Sequence, residues 1–378
     1  MDYDLSEEQN IIKDSAHKFL AKVCTSEYVR EMVQDKKGFT PEIWNEMANL
    51  GWMSLLIPEE YGGYGGGFLD LTVLLSEMGY YRLQSPFFST AVLGGLALME
   101  AASDAQKAEF LPDLASGKRI FTLAWTESDG LYTPEGIKMP ASLKGDDYYV
   151  LSGTKLFVPD AHVADLIICV ARTEETEFSS EGLSLFLVDA STAGLSINEL
   201  DTMAGDKQYE LIFNQVMVSR DRLLGTPGNG WPVLKKILLM AAVAKCAEMT
   251  GGGQKVMDLV IPWVKERVQF GRPVGSFQAI HHHCANMLTY LDTFKYMTYQ
   301  AAWRISSGLP FEKEASMCKA WSSDSYRKLV ALGHQTIGGV GFMEEHDLQL
   351  YFKQAKASEI MFGDADFHRE LVAREMEL

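Results

Sequence analysis

The spacing of apolar residues changes twice along the chain, and this double change constrains the fold more than any other feature of the sequence. Apolar residues recur at helical spacing to about residue 120, in short strand-like runs to about 225, and at helical spacing again beyond that. Side chains on a helix and on a strand return to one face with different periods. The sequence therefore predicts an α+β protein with three domains, at 1–120, 121–225 and 226–378.

The first predicted domain carries the start signals of helices. Ser6-Glu7-Glu8-Gln9 fits a capping box, in which a serine and a glutamine side chain bond the first backbone amides of a helix. Further helices are predicted at 69–81 and 89–102, after a glycine-rich stretch at 57–67. Glycine in such numbers favours an irregular loop over a helix. A helical N-terminal domain follows from this order.

The second and third predicted domains differ in the length of their apolar segments. Runs such as 166–170 and 183–188 are short, are separated by Gly, Asp and Ser turns, and indicate a small antiparallel sheet or barrel. After residue 226, four long helical patterns with short links favour a four-helix bundle. These patterns lie near 231–266, 276–306, 311–336 and 345–361.

The charge and the cysteines exclude several classes of protein. Asp plus Glu outnumber Lys plus Arg by 51 to 34, for a formal net charge of −17. Such a surface repels phosphate backbones and anionic lipid, so neither nucleic acid nor a membrane is expected as a partner. Five cysteines without a C-x-x-C pair are typical of reduced thiols. With no signal-peptide or membrane-span pattern, we expect a soluble cytoplasmic protein.

Motifs of common hydrolases and nucleotide-binding loops are missing, and no metal site is predicted. His281, His282 and His283 are consecutive, so on a helix they point in three directions and cannot converge on one ion. Arg267 and Arg272 lie at a helix end and a Gly/Pro turn, where guanidinium groups could hold a phosphate. On spacing alone, a helix connection with solvated arginines is the other interpretation.

Five segments resemble motifs of the acyl-CoA dehydrogenase family, in the family's order. Residues 267–278 are similar to its flavin-binding segment R-x-x-F-G-x-x-x-x-x-x-Q. The other four are Ile57–Gly63 (I-P-E-E-Y-G-G), Trp125–Glu127 (the start of T-E-P-G-x-G-S-D), Leu151–Lys155 (L-N-G-x-K) and Gln335–Phe342 (Q-x-x-G-G-x-G-F). The predicted order of helices, strands and bundle is also that family's architecture.

The resemblance implies an enzyme that holds FAD between its β domain and its bundle. Its substrate is an acyl-CoA, its electrons pass to an electron-transfer acceptor protein, and it forms a homotetramer or a heterotetramer with a paralogous subunit. A base takes the proton α to the thioester while the β-hydride passes to the flavin. The residues matching the family's cofactor contacts are Trp125, Thr126, Phe157, Arg267, Gln269, Phe270, Gln278, Gln335, Gly338 and Gly339.

The sequence departs from the family at the catalytic base. The family's usual glutamate positions fall here on Phe362 and on Ala241, and neither side chain accepts a proton. Glu248 lies seven residues after Ala241, two helical turns along the same face, and Asp364 lies two residues after Phe362. Either carboxylate is a candidate base. Alternatively, Glu248 makes a buried helix–helix hydrogen bond and Asp364 caps a helix or loop.

The flavin loop departs as well, and three functions stay open. Ser128–Tyr132 replaces P-G-A-G-S-D, and Phe157-Val158-Pro159 replaces W-I-T. The first hypothesis is an FAD-dependent dehydrogenase acting on a cyclic or polar acyl-CoA. The second is a base-lacking subunit, resembling those of heteromeric acyl-CoA dehydrogenases of steroid and alicyclic acid breakdown. The third, weaker one is a flavoprotein of reductive or non-oxidative acyl-CoA chemistry.

Overall fold

The computed structural model describes residues 4–378, which divide into two compact units. A helical unit comprises residues 4–31, 67–83 and 239–378, and a β-containing unit comprises residues 32–66 and 84–238. The first 120 residues thus contribute to both units. The domain boundaries at 120 and 225 stay predictions.

The helix predicted at 69–81 and the four predicted bundle helices are present, together with further helices. In chain order they are α1 (Glu7–Val23), α2 (Ser26–Gln34), α3 (Pro41–Asn49), α4 (Phe68–Tyr81), α5 (Gly95–Ala101), α6 (Asp104–Ala115), α7 (Gly230–Glu266), α8 (Gln278–Ser306), α9 (Glu312–Ile337), α10 (Leu348–Ile360) and α11 (Ala365–Glu375). The predicted capping box at Ser6 is present, since its hydroxyl accepts from the Gln9 amide. The short helix α11 follows the predicted bundle helices without having been predicted.

The helix predicted at 89–102 is the one with an irregular start. Its first part, Phe88–Gly94, is a π-helix, and only Gly95–Ala101 is α-helical. The wider turn places the Thr90 hydroxyl against strand backbone, where it accepts from the Phe121 amide at 3.1 Å. Ser89 donates to the Asp160 carboxylate at 2.6 Å. These long-range hydrogen bonds explain why local sequence signals did not reveal the π-helix.

The strands form two four-stranded sheets, ordered β1-β4-β5-β8 and β2-β3-β7-β6, and a two-stranded hairpin. All strand pairs are antiparallel except β1 with β4, which run parallel from Phe121 opposite Leu166. Residues of both sheets contribute to one hydrophobic core, which includes Tyr149, Phe186 and Phe213. The strands are β1 (Phe121–Ala124), β2 (Ala141–Lys144), β3 (Tyr148–Pro159), β4 (Leu166–Arg172), β5 (Leu183–Asp189), β6 (Leu195–Leu200), β7 (Gln208–Ser219), β8 (Leu223–Leu224), β9 (Val268–Gln269) and β10 (Arg272–Pro273).

Two glycines let α4 and α7 approach closely in the helical unit. A Cβ added to Gly251 of α7 would lie 1.7 Å from the carbonyl oxygen of Ser76 in α4. A Cβ added to Gly79 of α4 would lie 2.0 Å from the carbonyl oxygen of Glu248. Both obstacles are backbone atoms, which cannot move aside as a side-chain end can. No helix within residues 4–378 is long and apolar enough to cross a membrane.

We expect Gly251→Ala to lower the free energy of unfolding by about 1–3 kcal/mol, because the added methyl group forces the two helices apart. Urea unfolding measures this. The matched control is Gly95→Ala, where the nearest obstacle is 3.9 Å away and the backbone is helical. Alanine there should be neutral or stabilising by up to about 1 kcal/mol. Equal stability of both variants would contradict the close-approach argument.

Candidate functional site

The loop that follows β1 carries two of the predicted flavin contacts. Trp125 is buried and Thr126 is half-buried. The Thr126 carbonyl accepts from the Leu156 amide at 2.9 Å, and the Trp125 carbonyl accepts from the Lys155 ammonium at 3.4 Å. Strand β3, which contains Lys155 and Leu156, therefore fixes the backbone of this loop.

A buried ion pair holds the same loop from inside. The side chain of Lys155 is fully buried, and its Nζ lies 2.6 Å from Glu127 Oε1. The Glu127 carboxylate also accepts from the backbone amides of Lys138 and Met139, each at 3.0 Å. A buried charge is tolerated only when it is paired and hydrogen-bonded. Sequence reasoning quoted both residues as motif letters and missed that they form one pair.

A register shift in β3, between Lys155 and Val158, holds the predicted contact Phe157. Its backbone is left-handed, with a φ of 52°, and its ring is 59% exposed. The end of β3 is also held by β1, since Thr122 Oγ1 donates to the Pro159 carbonyl at 2.5 Å. A non-glycine residue in this conformation costs about 1–3 kcal/mol and persists where its surroundings fix it, often at ligand sites.

The arginine turn lies in the helical unit and presents its side chains outward. Strands β9 and β10 form a short hairpin with Phe270 at its tip, 93% exposed and with a φ of 54°. The Arg267 guanidinium lies 5.8 Å from the Trp263 ring centroid, and the Arg272 guanidinium lies 4.1 Å from that of Phe277. Cationic and aromatic groups exposed side by side suit a phosphate and a stacked ring.

The remaining predicted cofactor contacts are exposed, except Gly338, which is half-buried. Gln269 donates to the carbonyl of Val268 at 2.7 Å, and Gln278 begins α8. Gln335 lies near the end of α9, and Gly338 follows that helix with a φ of 77° that favours glycine. A Cβ at Gly338 or Gly339 would meet nothing within 4 Å, which leaves room for a ligand. These residues fit the phosphates, ribose hydroxyls and rings of FAD.

The two positions where the family's base is expected carry no acid. Ala241 is fully buried in α7. Phe362 lies in the turn between α10 and α11, with a left-handed φ of 59°. Within residues 4–378, no group of His, Cys, Asp and Glu side chains could hold a metal ion.

The two candidate bases both have partners in the helical unit. Glu248 Oε2 lies 2.5 Å from Lys245 Nζ, three residues earlier on α7, and its side chain is largely buried. Asp364 is the N-cap of α11, and its Oδ1 accepts from the Phe367 amide at 2.8 Å. The two carboxylates thus have different partners, and their catalytic roles stay predictions.

Comparison with known proteins places this combination of fold and motifs in one family. Family models for the N-terminal, middle and C-terminal domains of acyl-CoA dehydrogenase match residues 6–118, 122–216 and 228–377. The chain belongs to the acyl-CoA dehydrogenase family, oxidoreductases that act on a CH–CH bond of an acyl-CoA. The predicted α+β architecture of helical, β and helical parts is confirmed, and so is FAD as the cofactor.

Three relatives cover nearly the whole chain. The acryloyl-CoA reductase (NADH) of Anaerotignum propionicum is 32% identical, covering 100% of this chain and 96% of the relative. The structure of PigA with FAD and proline is 25% identical with a TM-score of 0.92, covering 100% of both chains. The ChsE4-ChsE5 complex from Mycobacterium tuberculosis is 26% identical with a TM-score of 0.90, covering 100% of this chain and 99% of that one.

The buried pair of Lys155 and Glu127 gives a direct test of the predicted flavin contacts. Lys155→Met leaves the Glu127 carboxylate buried without its cation, and we expect a loss of about 3–5 kcal/mol in unfolding free energy. The flavin-to-protein ratio after purification should fall with it, because the loop of Trp125 and Thr126 loses its support. Urea unfolding and the visible absorbance measure the two effects.

Lys138→Met is the matched control on the same loop. Lys138 pairs with Asp129 at an exposed position, so its removal should leave both readouts close to those of the unmodified protein. A Lys155→Met protein with unchanged stability and flavin content would show that the buried pair does not hold the loop.

Proposed function

We propose that this chain is an FAD-dependent acyl-CoA dehydrogenase acting on a cyclic or polar acyl thioester. The observation that carries the proposal is that most of the family's cofactor-binding residues are kept, although both base positions are altered. The loop of Trp125 is fixed by a buried ion pair, and the turn of Arg267 and Phe270 presents exposed donors and a ring. A chain without flavin would have little physical need for this set.

The protein's own residues supply binding and position. Arg267 is proposed to pair with the pyrophosphate, and Phe270 to pack against the adenosine half. Trp125, Thr126 and Phe157 are proposed to contact the flavin ring, with Gln269, Gln278, Gln335, Gly338 and Gly339 completing the cofactor site. When bound, FAD supplies the hydride acceptor. The electrons are proposed to leave through an electron-transfer acceptor protein.

The altered base position supports an unusual substrate. Phe362 brings an aromatic ring where the family's usual motif has a carboxylate, and that ring is half-buried. An aromatic surface favours contact with a bulky apolar acyl group such as a ring system. This supports a cyclic acyl group over a plain short chain.

Purification of the chain by itself tests the proposal. We expect a yellow protein with about one flavin per chain, whose visible spectrum changes when an acyl-CoA is added. Cyclohexanecarbonyl-CoA and butyryl-CoA are suitable cyclic and linear probes. A stably folded but colourless protein that cannot be loaded with FAD would contradict the proposal.

A second candidate is the base-lacking subunit of a heteromeric acyl-CoA dehydrogenase. The specific observation in its favour is that both carboxylates near the altered positions already have partners, Glu248 with Lys245 and Asp364 with the α11 backbone. Similarity to a complex of two named components also supports it. Under this candidate the chain is inert alone and gains activity on mixing with a paralogous subunit.

Paired substitutions separate the two proposed bases. We expect Glu248→Gln to lower turnover by roughly 10²–10⁴-fold with flavin still bound, because it removes a proton acceptor while keeping the side-chain shape. Asp364→Asn should change turnover little, because asparagine caps a helix about as well as aspartate. Steady-state kinetics with cyclohexanecarbonyl-CoA and an artificial electron acceptor measure both.

Low turnover in Asp364→Asn together with unchanged turnover in Glu248→Gln would assign the base to Asp364. Unchanged turnover in both variants would exclude both carboxylates and favour a base supplied by a partner subunit. The flavin content of each variant must match that of the unmodified protein, so that a loss of cofactor is not read as a loss of base.

A further inference from the structure

A buried lysine in the helical unit contacts the turn that carries the altered base position. Lys319 of α9 is fully buried. Its Nζ donates to three acceptors: Gly363 O at 2.7 Å, Glu359 O at 2.9 Å and Ser323 Oγ at 2.9 Å. An ammonium group has three donors, and here each one is used. Neither the cofactor site nor the two candidate bases includes this side chain.

The turn itself has a strained backbone. Phe362 has a φ of 59° and Gly363 has a φ of 103°, so two successive residues lie outside the conformations that side chains favour. A Cβ at Gly363 would lie 2.5 Å from Phe367 Cδ1 and 2.7 Å from His368 Nε2. Such a turn persists only where neighbouring groups fix it.

Three contacts fix the turn at successive residues. His368 Nε2 donates to the Phe362 carbonyl at 2.9 Å, Lys319 donates to the Gly363 carbonyl, and Asp364 caps α11. Burial, and next the charge of Lys319, lower the pKa of His368 to about 4, so its ring is neutral at neutral pH. At neutral pH, Lys319 is therefore the charged donor to this turn.

We infer that Lys319 is a positioning residue that fixes the Phe362–Gly363 turn and so sets which side chain the protein presents at the family's base position. Its action is on backbone carbonyls, and the residue that it positions is Phe362. The inference rests on the proposed function for the role of the turn. The hydrogen bonds themselves do not depend on that function.

The protonation of Lys319 gives the inference a signature in pH. Burial lowers the pKa of Lys319 to about 8. Opening of the turn would return the ammonium to water and its pKa to the ordinary value of 10.5, so the open state binds the proton more tightly between these two values. Because the closed state then gains stability as the proton leaves, protection of the turn should increase as pH rises above about 8.

Other titratable groups face Lys319 from every neighbouring element. They are Cys246 on α7, Cys318 on α9, Glu359 on α10, Asp364 at the cap and His368 on α11. Burial is the main cause that raises the pKa of Cys246 well above its usual value, and contact with Cys318 adds to it. Although burial opposes it, hydrogen bonds led by that from Cys246 lower the pKa of Cys318. Cys318 is thus the group whose ionisation must be separated from that of Lys319.

Hydrogen exchange of the full-length chain, followed by mass spectrometry, tests the inference without substrate. We expect Lys319→Met to lower protection in peptides spanning 359–368 by about ten-fold or more at pH 7, because the Gly363 and Glu359 carbonyls lose a buried donor. Lys356→Met is the matched control. Its lysine is on α10 and pairs with the Glu359 side chain at 2.6 Å, so the turn carbonyls keep their donor.

A pH series on the unmodified protein keeps the test valid if Lys319→Met does not fold. The protection factor of the same peptides should rise between pH 8 and about pH 10, by at most about ten-fold per unit. Cys318→Ala should keep this rise. A protection factor independent of pH, a rise abolished by Cys318→Ala, or full protection in Lys319→Met would each overturn the inference.

The proposed effect of Lys319 on substrate binding is measured separately, by the flavin spectrum. In Lys319→Met loaded with FAD, cyclohexanecarbonyl-CoA should change the flavin spectrum with at least about ten-fold lower apparent affinity than in the unmodified protein. If the unmodified protein shows no spectral change at all, the proposed function fails while the exchange result still decides the role of Lys319. If both proteins respond with equal affinity, the turn does not position a substrate contact.

Discussion

Two buried ammonium groups determine the backbone of the segments on which the proposed chemistry depends. Lys155 fixes the loop that follows β1, and Lys319 fixes the turn between α10 and α11. A buried ammonium group costs several kcal/mol unless all its donors find acceptors, so each lysine requires particular carbonyls at particular places. The carbonyls depend on the lysines in turn, because they lose a buried donor when the lysine is removed. Two otherwise irregular segments thereby acquire a single conformation.

Two of the left-handed residues lie close to such buried support. Phe157 and Phe362 are aromatic residues with positive φ, which is uncommon for side chains of that size. Each lies beside a segment whose backbone is held by buried polar groups, Thr122 in one unit and Lys319 in the other. Hydrogen bonds within the same unit therefore offset the backbone strain of each left-handed residue. The fixed backbone sets the place of each ring, which is exposed at Phe157 and half-buried at Phe362, and such rings suit contact with a flat cofactor or a bulky acyl group.

The long bundle helices could be predicted from sequence because their apolar spacing persists over many turns. The pattern predicted at 231–266 is the helix Gly230–Glu266, and that at 276–306 is Gln278–Ser306. The π-helix at Phe88–Gly94 and the parallel pairing of β1 with β4 could not be predicted in this way, since both depend on residues distant in sequence. Family motifs located Trp125 and Arg267, whose roles stay predictions.

Lys319 was missed because a lysine in a helix is expected at the surface. One signal was present in the sequence. Ala315 and Ser323 lie one helical turn before and after Lys319, and both are small and buried. Small residues at this spacing mark a closely packed face, and a lysine on such a face must have buried acceptors. The carbonyls that accept from it belong to the end of α10 and to the following turn, about forty residues away in sequence, which no local pattern reveals.

The charges around the altered base position balance without an acid at residue 362. Lys319 carries one positive charge and Asp364 one negative charge, while burial keeps His368 neutral. The carboxylate of Glu359 is balanced separately by Lys356 at 2.6 Å and Arg327 at 3.5 Å. Lys319 directs its three donors to the Ser323 hydroxyl and to the carbonyls of Glu359 and Gly363, so no side chain at 362 is needed to balance it. Phenylalanine at this position is thus electrostatically consistent with its surroundings, and the turn retains its shape without the family's base.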